Sequence, residues 1–324
     1  MKRKYIDNWF SGLRYKFSEF GIKKYSVVES QESKTSENWI VKHGNFDKTN
    51  FDGEGEKVAV LDTGVDPDHA EIKGKVTPMC FIKNCQDPIR HFDYSNHGTF
   101  IIGEIISNNL GIAPKAECLS AKVLYGDGRD GDLHKFEKDL VSAIQFACYN
   151  GCGVISMSFG SPHKSKIVEE ALEMAVSLGI IPVAASGNEG MRGSPYKSYP
   201  ASFDNCISVA SANEHDLPSW FSTSGKGDKR LEQPEVAIAS LNYHHGILTH
   251  DRYGRMMGTS ISCPIVAGLA LLWRQARKDS MPRGKNVLKE FREWLYKHAE
   301  DTNMNGWDNE LGFGVLKLEP WEFL

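Results

Sequence analysis

The sequence predicts an α/β fold, a three-layer sandwich with a mostly parallel central sheet and helices on both faces. Two observations carry this expectation. Short runs that are apolar at nearly every position read as strands buried on both sides. Between most of them lie longer stretches with apolar residues at steps of three and four, the spacing of helices, and such alternation builds parallel sheets. A third observation sets the scale. The chain has 324 residues, 40% hydrophobic and 25% charged, which is an ordinary globular composition with enough length to bury a full core.

Taken in order, residues 1–24 carry seven basic and two acidic side chains, and Ile6, Trp9, Phe10, Leu13, Phe17 and Phe20 would share one face of a helix. This amphipathic helix is expected to dock on the protein's own body, ahead of the alternatives of a membrane-surface or partner-binding helix. Residues 29–50 are polar and read as a linker. The chain thus divides into an N-terminal extension over 1–50, a candidate short prosegment, and a main domain over 51–324. Within the latter, strands are expected at 58–61, 118–124, 154–159, 180–185, 207–210 and 236–239. Helices are expected at about 97–107, 133–150, 164–178 and 260–277.

Several function classes fall away. With 38 Lys+Arg against 42 Asp+Glu the net charge is -4, which gives no general attraction for nucleic acid. The longest apolar run, 265–273, is far shorter than the roughly 20 residues of a membrane span. The basic start Met1-Lys2-Arg3-Lys4 is followed by Asp7, Arg14, Lys16 and Glu19, which interrupt any signal-peptide core. Seven cysteines, an odd number partly set in apolar runs, suit reduced buried thiols and a cytoplasmic location. None of them has zinc-ribbon spacing, so no metal ligands are assigned.

Four segments place a reactive side chain at the edge of an element. The strand 58–61 runs into Asp62-Thr63-Gly64, and open parallel sheets present their sites at such strand ends. His97 opens an apolar helix, where one ring nitrogen can be held while the other faces a reacting group. Asn188, between Gly187 and Glu189-Gly190, follows a buried strand and can donate its amide to an oxyanion. Ser260 precedes a helix that is apolar all round, and the dipole there favours developing negative charge. Pro264 is expected in that helix's first turn, where a missing N–H costs nothing. Each feature alone suits a cap or a turn; the order Asp, His, Asn, Ser hardly arises by chance.

In these segments the sequence resembles the subtilisin-like serine proteases, over about residues 57–318. The resemblance rests on Leu61-Asp62-Thr63-Gly64-Val65-Asp66 with His69, on His97-Gly98-Thr99, on Ser186-Gly187-Asn188-Glu189-Gly190, and on Gly258-Thr259-Ser260 with Pro264. Ser156-Met157-Ser158-Phe159-Gly160, Tyr199-Pro200-Ala201 and Gly312-Phe313-Gly314-Val315 extend it. It implies a subtilisin-like catalytic domain over 51–324 and a serine endopeptidase of intracellular type. Ser260 would be the nucleophile, His97 the general base, Asp62 its orienting carboxylate and Asn188 the oxyanion donor. A protein or peptide substrate would lie extended between Leu124, Tyr125, Gly126 and Asp127 on one side and Ser158, Phe159 and Gly160 on the other. Ala185, Ser186, Gly187 and Glu189 would border the primary pocket.

Departures from the family pattern are Phe100 and Ile265, each in place of a usual histidine, and a strand at 236–239 that lacks the usual Ala-Pro-Gly after it. Only Ser107, Asn108, Asn109 and Leu110 separate the histidine helix from Gly111, a shorter loop than the one forming the tight calcium site of secreted relatives. Calcium takes six to eight oxygens, so the usual tight site is not expected there; no cofactor is expected to be required, and calcium binding stays open. No Gly-x-Ser-x-Gly and no His-Glu-x-x-His occurs, which disfavours α/β-hydrolase and zinc-peptidase readings. A non-catalytic binding protein on the same fold would need a lost triad member. Two roles stay open, a general intracellular protease and a protease that removes leaders from ribosomally made peptides. Asp127, Asp130, Asp132 and Glu189 suggest an acidic wall favouring Lys or Arg near the cut, against a plain solvated Gly-Asp turn.

Overall fold

A computed structural model describes residues 28–29, 38–126, 133–190, 197–225, 234–240, 244–303 and 305–319. The expected N-terminal helix and the 127–132 loop lie outside these residues. In chain order the elements are β1 (Val28–Glu29), α1 (Trp39–His43), β2 (Lys57–Asp62), β3 (Val76–Cys80), α2 (His97–Ile106), β4 (Glu117–Lys122), α3 (Leu133–Tyr149), β5 (Val154–Met157) and α4 (Lys166–Ser177). There follow β6 (Ile181–Ala185), β7 (Ile207–Ala212), β8 (Val236–Ala239), β9 (His244–Leu248), β10 (Arg252–Met256), α5 (Thr259–Ala276), α6 (Asn286–Lys297), β11 (Ala299–Glu300) and β12 (Val315–Leu316).

Among the described residues nine strands form one sheet in the order β11-β12-β8-β7-β6-β5-β2-β4-β3, parallel throughout except for β11. Strand side chains alternate between two cores, because successive residues of a strand point to opposite faces. Val58 and Val60 enter the core built with α2, α5 and α6, whereas Ala59 and Leu61 enter the one built with α3 and α4. This is the expected three-layer sandwich. The centre of the first core is α5, whose Trp273 is fully buried and stands edge-on to Phe291 of α6. Truncating Trp273 to Ala would cost about 3–5 kcal/mol. No described helix is long and apolar enough to cross a membrane.

All six expected strands and all four expected helices are present. Four further features were not anticipated. The edge strand β3 contains Pro78 and is only half-buried, which weakens its signal and suits an edge position. The antiparallel β9–β10 hairpin, with β1 added at its edge, is polar and glycine-containing. The C-terminal pair β11 and β12 is two residues long in each strand. Helix α6 does have a helical signature in Val287, Leu288, Phe291, Trp294 and Leu295, all buried.

Over 38–50 the linker reading is corrected. Asn38 caps α1 through Val41 N–H at 3.2 Å and donates to the Leu110 carbonyl at 2.8 Å. Ile40 and Phe46 lie in the main core, and the Leu318 N–H reaches the Gly44 carbonyl at 2.9 Å. Trp39 and Val41 pack against the same core, so a short apolar run together with Phe46 seats the segment.

Candidate active site

Strand β2 ends in Asp62, buried at the C-terminal edge of the sheet. Its Oδ1 accepts the Thr63 N–H at 2.7 Å and the Nδ1–H of His97, also at 2.7 Å. A carboxylate only accepts, so this contact assigns the proton to Nδ1 and turns Nε2 to the other side of the ring. His97 is the first residue of α2. Asn96 before it is left-handed, with φ 65°, and spends its side-chain oxygen on Thr249 N–H and Oγ1 at 3.1 and 2.7 Å.

The start of α2 is served instead by Asp93, which is fully buried. Its Oδ2 accepts the Thr99 N–H at 2.8 Å, and its Oδ1 accepts the Thr63 hydroxyl at 2.9 Å and the Ser95 N–H at 3.0 Å. Thr63 Oγ1 in turn accepts the Gly98 N–H at 2.9 Å. Gly98 has to be glycine, since a Cβ there would run into the Gly64 carbonyl. Burial disfavours the charged form of His97. The charge and hydrogen bond of Asp62, and the charge of Asp93, outweigh it and hold the imidazole pKa above the ordinary histidine value.

Ser260 is the second residue of α5, which packs against α2. Its hydroxyl donates to the Ser158 carbonyl at 3.1 Å, and Ser158 Oγ donates back to the Ser260 carbonyl at 3.0 Å. The second bond has a cause in the sequence. Pro264 lies in the second turn of α5, not the first as expected, and there it removes the N–H that would have met the carbonyl four residues back, that of Ser260. Ser158 supplies the missing donor.

At the end of β6, Ala185 and the following Ser186 are buried and Gly187 adopts φ 111°, which turns Asn188 back towards α5. Asn188 Oδ1 accepts both the N–H and the hydroxyl of Thr259 at 3.0 Å, so Nδ2 is the donor on the opposite side of the amide. Asn188 and Ser260 line one cleft together with Phe159, Gly160, Ala185 and Glu189. Glu189 is 8% exposed, and its backbone N–H is held by Thr223 Oγ1 at 2.9 Å. A Cβ on Gly160 would collide with Ser198 Oγ, so glycine keeps this wall thin.

Leu124 is buried just beyond β4, with its N–H on the Asp62 carbonyl, and Gly126 has φ 73°. Asp127 lies outside the described residues. Phe100 and Ile265 are fully buried in the α2–α5 core, where an apolar side chain suits the site; Gly246 of β9 leaves room for the Phe100 ring. All seven cysteines are free thiols. Burial raises the pKa of Cys263 to about 11 and that of Cys152 to about 12, which makes them poor nucleophiles.

Residue-by-residue reading missed Asp93, Thr63 and Ser95 as supports of His97. The signal was present in Asp93-Tyr94-Ser95, an acidic residue two before a serine, the pattern of a turn closed by its own side chain. It also missed Lys122, a fully buried lysine on β4 that donates to Asp87 Oδ2 and the Phe92 carbonyl, both at 2.7 Å. That contact ties the loop before His97 to the strand leading into Leu124.

The sequence matches the Subtilase family over residues 53–314. It is 36% identical over 233 residues to the "Thermophilic serine proteinase" of Bacillus sp. (strain AK1), covering 69% of this chain and 54% of that protein. It is 31% identical over 245 residues to the "Major intracellular serine protease" of Bacillus subtilis (strain 168), covering 71% and 72% respectively. "Subtilisin E" of the same strain is 34% identical over 228 residues, 68% of this chain and 56% of that protein. The chain thus spans little more than half the length of two of these three relatives. The family match takes in all four reactive segments and nearly the whole described sheet, and on that ground the chain belongs to the subtilase family.

Proposed function

We propose that this protein is a serine endopeptidase that hydrolyses peptide bonds through Asp62, His97 and Ser260, with Asn188 as oxyanion donor. The observation that carries the reading is the 2.7 Å bond between Asp62 and His97 Nδ1 at the first turn of α2, beside the helix that presents Ser260. In the reaction the Ser260 hydroxyl exchanges its bond to the Ser158 carbonyl for one to His97 Nε2. His97 takes the proton as Ser260 Oγ attacks the carbonyl carbon, and the imidazolium is held by Asp62. Asn188 Nδ2 and a backbone N–H at the start of α5 receive the oxyanion. Amide nitrogen leaves poorly, so His97 then returns its proton to it; water repeats the cycle on the acyl-enzyme.

Substrate would run extended between residues 124–127 and 158–160. Glu189 at the cleft supports a preference for Lys or Arg at or shortly before the cut, because a carboxylate shielded by bound peptide attracts a cation more strongly than a surface charge does. Activity inside the cell, on general protein substrates or on leader peptides, is supported by the seven free thiols and by the likeness to the intracellular protease of Bacillus subtilis. Docking of the N-terminal extension as a short prosegment is supported by β1. Its two residues pair with Arg255 and Gly254, five and six positions before Ser260.

The deciding experiment is labelling with a fluorophosphonate. Wild type should label at Ser260 and cleave a peptide library, whereas Ser260→Ala should do neither; absence of labelling in folded wild type would leave a binding protein on this fold. Library cleavage sites at low and high salt test the basic preference. N-terminal sequencing of wild type and Ser260→Ala tests self-processing.

A further inference from the structure

The segment from the end of α2 to Pro114 gathers oxygens around a cation that the chain supplies itself. The Lys75 ammonium donates to the carbonyl of Ile106, the last residue of α2, to Asn108 Oδ1 at 2.9 Å and to the Pro114 carbonyl at 3.0 Å. Three acceptors use all three N–H bonds, so the contact set requires the charged amine. A helix C-terminus leaves carbonyls without intrahelical donors and carries partial negative charge, and a cation there satisfies both needs.

We propose that the Lys75 ammonium holds this oxygen cluster in place of a metal ion, so that the 107–114 loop is ordered without calcium. The residues present do not fit calcium. Calcium takes six to eight oxygens, usually with carboxylates among them. The nearby carboxylate, Glu71, is buried and committed: Oε2 accepts Asn109 N–H at 3.0 Å, and Oε1 accepts Asn109 Nδ2 at 2.7 Å and the Tyr253 hydroxyl at 3.1 Å. Among the described residues no group of three or more His, Cys, Asp or Glu side chains could hold a metal. Burial lowers the Lys75 pKa, and the Glu71 charge works against that loss. Glu71 thus acts as the counter-charge of a half-buried cation while its own oxygens are spent on the loop. The position of Lys75 is set by its backbone, which precedes β3 and whose carbonyl accepts the Cys118 N–H at 2.9 Å. A short loop and a half-buried ammonium together replace a longer loop and a bound ion.

The test is amide hydrogen exchange of the 106–114 segment, with thermal melts, on the full chain carrying Ser260→Ala to prevent self-digestion. Each protein is measured in EDTA and in millimolar calcium chloride. The parent should show the same protection and the same Tm in both. Lys75→Met should exchange faster in this segment and melt about 5 °C lower in both, the effect of losing charge-assisted hydrogen bonds in a domain of this size. Faster exchange of the parent segment in EDTA would overturn the proposal, as would unchanged protection in Lys75→Met. If Lys75→Met does not fold, the parent's response to EDTA decides alone.

Discussion

At its first turn α2 meets two carboxylates, Asp62 and Asp93, and at its last turn it meets an ammonium, that of Lys75. Both arrangements suit the helix dipole, which favours negative charge at the N-terminus and positive charge at the C-terminus. They differ in what the charges touch. At the first turn the partner is an imidazole, a group able to gain and lose a proton, so under the proposed function the charge sets reactivity. At the last turn the partners are carbonyl and amide oxygens that do not titrate, and the charge can only hold structure. One helix thus separates function from stability by about its own length.

Substitutions at each end should therefore have different signatures. The largest loss is expected for His97→Ala, which should lower kcat by about 10⁶, as in the related subtilisin, with Tm lowered only modestly because the fold is otherwise intact. A comparable loss of Tm would mean that His97 also anchors the helix. Asp62→Asn should lower kcat by about 10⁴, because the amide permits the wrong imidazole tautomer. Retained turnover would place the orienting group elsewhere.

A smaller and more telling effect is expected for Asp93→Asn. Asp93 adds to the charge that raises the His97 pKa, so its removal should move the acid limb of kcat/KM to lower pH. Plateau turnover should stay within about tenfold of wild type, since no reacting group loses its partner. The stability consequence has the opposite sign. Protonated His97, with its folded pKa above its unfolded one, stabilises the fold fully below about pH 6.5, and that contribution fades as pH rises through the folded value. Asp93→Asn should narrow the window, as Tm measured against pH would show. A fall in Tm at all pH values with a stationary acid limb would reduce Asp93 to a helix cap. The smallest effect on turnover belongs to Lys75→Met, with kcat/KM within about twofold of wild type while Tm falls. A larger loss of activity would show that the two ends are coupled through α2.

The sequence alone determined the layers and which segments carry the candidate reactive side chains. Strands such as 58–61 and 154–157 are apolar on both faces and have few alternatives to a covered parallel sheet. The segments around Asp62, His97, Asn188 and Ser260 are short and local, and each reactive side chain sits where its own element begins or ends. Tertiary structure decided what depends on partners far along the chain. The short apolar run 39–41 and Phe46 look too sparse for a core element until the main core receives them. Pro264 reads as harmless until Ser158, over a hundred residues earlier, proves to donate to the carbonyl whose helical N–H donor the proline removes. Lys75 reads as one more surface lysine until the end of α2 and the turn at Pro114 fold around it. Periodicity and short motifs record local geometry, which a sequence window contains; hydrogen bonds between distant segments are recorded only by the fold that brings donor and acceptor together.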